Sequence, residues 1–85
     1  MNRRRLLTKL SQGSLNNVRF ADAVGLAEGF GFRLARVRGS HHVFVHASIP
    51  ELLNLQDVGG EAKPYQLRQL LRLVERYNLS LEDES

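Results

Sequence analysis

Eighty-five residues and 9.6 kDa leave room for one small domain, because two cores sharing this length would each fall below the size that folds without a disulfide or metal. A composition of 42% hydrophobic and 25% charged residues excludes a disordered tail, and the absence of cysteine excludes disulfide frameworks, thiolate metal sites and thiol redox chemistry. The net charge of +3 is unevenly spread: residues 1–45 carry eight basic side chains against two acids and residues 46–85 carry four against seven, so the first half is the one suited to a polyanion such as nucleic acid.

No apolar run approaches the roughly 20 residues of a membrane span. The apolar stretch after Asn2-Arg3-Arg4-Arg5 is also too short for a signal peptide, and with the missing cysteines this predicts a cytoplasmic protein.

Leu6, Leu7 and Leu10 among basic residues predict a short amphipathic helix over Arg3 to Leu10, closed by Gln12-Gly13-Ser14. A second helix is predicted over residues 19–29, where Phe20, Ala23, Val24, Ala27 and Phe30 share one face. Gly25 weakens it by about 1 kcal/mol relative to Ala, and Gly29 and Gly31 stop it.

At Phe32 the period changes. Residues 32–38 mix basic and apolar side chains as a strand, Gly39-Ser40 forms a tight turn, and His41 to His46 is rich in β-formers, which predicts an antiparallel hairpin with a second strand over 42–47. Ala47-Ser48-Ile49-Pro50 is expected to break that strand. The alternation of Leu53, Leu55 and Asp57 with Asn54, Gln56 and Val58 predicts a third strand over 53–58, ending at Gly59-Gly60.

Pro64 suits the first position of a helix over 64–78, whose apolar stripe is Leu67, Leu70, Leu71, Val74 and Tyr77. Arg68, Arg72 and Arg76 recur every fourth residue and form a basic ridge roughly opposite that stripe. Residues 80–85 read as an acidic tail that frays. The expected fold is α+β, in the order helix, helix, three strands, helix. A three-stranded antiparallel sheet carries the helices on one face, over a core of Phe20, Val24, Ala27, Phe30, Phe44, Leu67, Leu70, Leu71 and Val74.

All three histidines, His41, His42 and His46, fall within six residues beside Arg36 and Arg38. A shared metal does not suit them. His41 and His42 point to opposite faces of a strand, and His42 and His46 share a face about 13 Å apart at 3.3 Å per residue. Acid/base chemistry on RNA suits the residue types better, since an imidazole moves protons near neutrality while guanidinium groups hold phosphate. The plain alternative is that the histidines are ordinary half-buried strand residues. If Phe44 packs inward, His42 and His46 share its face and His41 projects to the other with Val43 and Val45, which makes His41 the more available.

The run Gly39-Ser40-His41-His42-Val43-Phe44-Val45-His46, after an amphipathic helix ending in Gly-Phe and a strand carrying Arg36-Val37-Arg38, resembles the HicA family of toxins from HicA/HicB toxin-antitoxin systems. The resemblance spans about residues 19 to 79. It implies a double-stranded-RNA-binding-like fold, metal-independent messenger-RNA endonuclease activity and neutralisation by a HicB-like antitoxin. It also implies a single HicA-like domain over 1–85, to which residues 1–18 add a helix and loop. The family's catalytic histidine follows the Gly-Ser turn, which assigns His41, with His42 in reserve. Gly39 and Ser40 shape the turn, and Arg36, Arg38, Arg68 and Arg72 are the expected RNA-binding cations. The chain departs from the family pattern at His46-Ala47, where members often read His-Pro.

Three classes of function remain open to the sequence: a HicA-like ribonuclease, a noncatalytic RNA-binding module of the same fold, and a protein-interaction domain. The expected partners are messenger RNA and a HicB-like antitoxin, with no metal, no small-molecule cofactor and no membrane.

Overall fold

The computed structural model describes residues 2–82. The first helix, α1 (Arg3–Ser11), starts where the Asn2 side chain accepts the Arg5 backbone N–H at 2.9 Å, and it buries Leu6 and Leu10. The second, α2 (Phe20–Gly29), buries Ala23, Leu26 and Ala27. It has no side-chain cap. Its first residue is instead held by the sheet, through a Phe20 N–H to Gly60 carbonyl bond of 2.8 Å.

Four strands follow, β1 (Arg33–Arg38), β2 (His41–His46), β3 (Ile49–Val58) and β4 (Glu61–Ala62), antiparallel throughout and ordered β1-β2-β3-β4. The chain closes with α3 (Pro64–Arg76), entered through proline in its first turn. The α+β class and the helical spans match the sequence reading, but the sheet has four strands rather than three. The additional strand arises because Gly59 and Gly60 both take positive φ, +60° and +87°, the conformation that two-residue hairpins favour. Ala62 N–H then bonds the Val18 carbonyl at 2.9 Å, which anchors β4 to the loop before α2.

The third strand also starts earlier than expected, at Ile49 rather than 53, with only Ala47 and Ser48 in the turn. Pro50 is tolerated because the pairing is irregular there, between Phe44↔Leu53 and His46↔Ile49, where a missing N–H removes no regular ladder bond.

One apolar cluster joins all three helices to the inner face of the sheet, with Phe44, Leu26, Leu53, Leu55, Leu67 and Leu70 fully buried. Of the expected core, Ala27, Phe30, Phe44, Leu67 and Leu70 are buried, whereas Phe20, Val24, Leu71 and Val74 pack at its margin. The buried face of α3 is turned toward Gln66 and Leu73. Gln66 explains the turn: its Oε1 accepts the Gln56 N–H at 2.6 Å, a bond that the two-residue β4 is too short to supply. The expected fraying of the tail fails as far as Glu82. Leu79 and Leu81 pack against the core, and Glu82 N–H bonds the Gly29 carbonyl, while residues 83–85 lie outside the described residues. Among the described residues no helix is long and apolar enough to cross a membrane.

Candidate active site

The sheet has two unlike faces because each strand alternates. Phe44, Leu53 and Leu55 point into the helix layer, so Val43, Asn54 and Gln56 next to them in sequence, and His41 two residues before Val43, point to the side the helices leave open. The turn between β1 and β2 sets the position of His41. Gly39 holds φ +59°, a left-handed conformation that favours glycine, although a Cβ there would meet nothing within 4 Å. Backbone conformation, rather than lack of space, is the reason for glycine. Ser40 contributes its carbonyl, which accepts the Asp57 N–H at 3.0 Å and so ties the turn to β3.

Register assembles the open face in rows. Arg38 lies directly opposite His41, which lies opposite Gln56; one step along, Arg36 lies opposite Val43, which lies opposite Asn54. Arg36, Arg38, His41, Val43 and Asn54 line one shallow basin of about 390 Å³. His41, Arg36 and Arg38 are exposed, and among the described residues none of the three makes an ion pair or a side-chain hydrogen bond within the chain. The basin therefore combines two guanidinium groups with one exposed imidazole whose two nitrogens make no hydrogen bond within the described residues, and no carboxylate lines it.

The other two histidines are committed to structure. His42 lies on the inner face, where its Nδ1–H donates to the Ser40 carbonyl at 3.2 Å and its ring tilts against Phe20 with centroids 4.7 Å apart. His46 is bonded at both nitrogens. Its Nε2–H donates to the Phe30 carbonyl at 2.9 Å, its Nδ1 accepts the Ser48 N–H at 3.1 Å, and its ring stands T-shaped to Phe32 with centroids 5.0 Å apart. That pattern fixes the Nε2–H tautomer. It also explains Gly31, which holds φ +97° and where a Cβ would lie 2.8 Å from His46 Nε2. Among the described residues no group of three His, Asp or Glu side chains could hold a metal ion.

Arg68 and Arg72 do not join this basin. They sit on the solvent side of α3, beyond the helix layer from His41, and Arg72 borders a separate cleft where Arg76 pairs with Glu51 at 2.8 Å. The sequence reading missed Asn54 and Gln56 as neighbours of His41: the inward Leu53 and Leu55 put both on the open face, but only the register of β2 with β3 brings them beside His41. It also left Arg5, Lys9 and Arg19 unassigned. These converge with Asp22 on a cleft of about 590 Å³ between α1 and the start of α2.

A small antiparallel sheet thus carries helices on one face and, on the other, an unbonded imidazole beside two arginines. Residues 20–75, from the start of α2 to near the end of α3, match the family described as HicA toxin of bacterial toxin-antitoxin systems. That match covers more than half of the chain, which therefore belongs to the HicA toxin family, with α1 and the segment after α3 lying outside the matched region. No curated protein and no solved structure matches the chain significantly.

Proposed function

We propose that this chain is an endoribonuclease toxin that cleaves messenger RNA in the cytoplasm without a metal ion, its 85 residues acting as a single HicA-like unit in a double-stranded-RNA-binding-like arrangement. The observation that carries the reading is the separation of the three histidines: His41 alone has both ring nitrogens open, and it shares its basin with Arg36 and Arg38.

Cleavage through the ribose proceeds by attack of the 2′-oxygen on the adjacent phosphorus, with loss of the 2′-hydroxyl proton and departure of the 5′-oxygen, which gains a proton. His41 moves one of these protons and water the other. Arg36 and Arg38 hold the phosphate and stabilise the extra negative charge on its oxygens as the fifth bond forms. Gly39 and Ser40 hold the turn, and His42 positions it through the Ser40 carbonyl. Arg68 and Arg72 are left a secondary electrostatic part, since they lie on the helix side of the sheet.

Family membership implies an antitoxin partner. We take this to be a HicB-like protein whose acidic groups cover the basin, because occluding His41 and the two arginines suffices for inhibition. The experiment is cleavage of a defined RNA by the parent chain and by His41→Ala. Loss of cleavage with retained RNA affinity supports the proposal. Equal, measurable rates would remove His41 from the mechanism, and absence of cleavage by the parent chain would leave a noncatalytic RNA-binding module of the same fold.

A further inference from the structure

Seen across the strands, the open face is polarised as well as basic. In both rows β1 contributes a guanidinium, Arg38 or Arg36, and β3 contributes a carboxamide, Gln56 or Asn54, with His41 or Val43 between them on β2. Neighbouring strands are about 4.8 Å apart, so the cationic and carboxamide edges are separated by roughly 10 Å.

The two edges suit different parts of a nucleotide. Arginine carries only donors and matches phosphate oxygens, which only accept. A carboxamide carries both an acceptor and two donors, the combination that pairs with the edge of a nucleobase, where donors and acceptors lie side by side. Asn54 is exposed, lines the basin with His41, and makes no side-chain hydrogen bond among the described residues. Val43 beside it is apolar and half-buried, a surface on which a base or ribose can rest without losing hydrogen bonds. The basin volume of about 390 Å³ lies within the range of small-molecule sites.

We infer that the β3 side of the basin is a nucleobase subsite in which Asn54 reads the base edge of single-stranded RNA while the phosphate lies on the β1 side. The inference rests on the proposed RNA substrate and adds the orientation of the nucleotide and the source of sequence preference. Duplex RNA is the occupant it disfavours, because paired bases present no free pairing edge to a shallow surface and are recognised mainly by shape.

The test uses binding rather than cleavage, so that it reads independently of His41. Fluorescence anisotropy of the full chain with 2′-O-methyl octamers of A, C and U, which lack the hydroxyl nucleophile, gives the affinity for each base. A bidentate base contact discriminates by about 5- to 150-fold, so the parent chain prefers one octamer over the weakest by at least about fivefold. Asn54→Ala brings the three affinities within twofold of one another. Asn54→Asp, which replaces donors by acceptors, changes which octamer is preferred. Arg36→Ala weakens all three alike. Asn54 is exposed, so its variants should melt with the parent, and thermal unfolding checks this. A parent spread below twofold, or an unchanged ranking in both Asn54 variants, overturns the subsite. Neither result bears on whether His41→Ala stops cleavage, so the two readings fail separately.

Discussion

Replacing His46 by Ala should destabilise the fold while leaving the chemistry of each folded molecule intact. The ring bonds the carbonyl of buried Phe30 at 2.9 Å and the N–H of exposed Ser48 at 3.1 Å, and it stands T-shaped to the Phe32 ring with centroids 5.0 Å apart. Leaving a buried acceptor without a partner costs about 1–3 kcal/mol, and losing the ring contact costs about 0.5–1.5 kcal/mol. The Ser48 N–H recovers a bond to water at small cost. The sum is roughly 2–4 kcal/mol, a large part of the ~4–13 kcal/mol expected for a domain of this size. At ~4–8 °C per kcal/mol the melting temperature falls by roughly 8–32 °C. Thermal unfolding followed by far-UV circular dichroism gives the shift, and RNA cleavage well below the variant's midpoint gives the rate per folded molecule. A variant that melts with the parent refutes this structural role of His46, and one that keeps the parent stability but loses cleavage places His46 in the chemistry instead.

His41→Ala should do the reverse, lowering the cleavage rate by about 100-fold or more while changing stability by less than about 0.5 kcal/mol, because the side chain is exposed and unbonded. Arg38→Ala should weaken RNA binding and reduce the slope of log affinity against log salt by about 1, one phosphate contact's worth, in a titration from low to moderate salt. Cleavage should persist in excess chelator, since the proposed proton transfers and charge stabilisation come from side chains alone; strict dependence on an added divalent ion would refute that mechanism.

Much of the fold is legible because its long elements have clean periods. The stripe on α3, the hairpin at Gly39-Ser40 and the alternation of Leu53 and Leu55 each follow from a few residues. What escaped depends on contacts distant in sequence. Glu61-Ala62 is too short to show any period, and it is a strand because two glycines turn the chain back and Val18 receives its N–H. The face of α3 is set by Gln66, a polar residue whose burial makes sense only once the Gln56 N–H is known to find no acceptor in the two-residue β4. Leu81 looks like part of a charged tail until Gly29 supplies a place against which it packs. In the candidate site, strand parity was enough to put His41 on the open face with Val43. Parity within one strand could not say which side chains of β1 and β3 flank it, because that depends on register, and the irregularity between Leu34 and Arg36 shifts the pairing that brings Arg36 beside Val43.

Register also puts His41, rather than His42, on the open face of the sheet. Because side chains alternate, a one-residue slip of β2 would exchange their faces, leaving His42 open and His41 against Phe20. Two residues farther along the strand oppose this. Phe44 is fully buried between the helices and Leu53, and exposing it would forfeit about 1.5–3 kcal/mol of apolar burial. His46 would lose the Phe30 carbonyl at the same time, leaving a buried acceptor unpaired. The apolar and hydrogen-bonded residues of Val43-Phe44-Val45-His46 thus decide which imidazole meets the two arginines, which is why a strand holding three histidines presents a single one beside them on the open face.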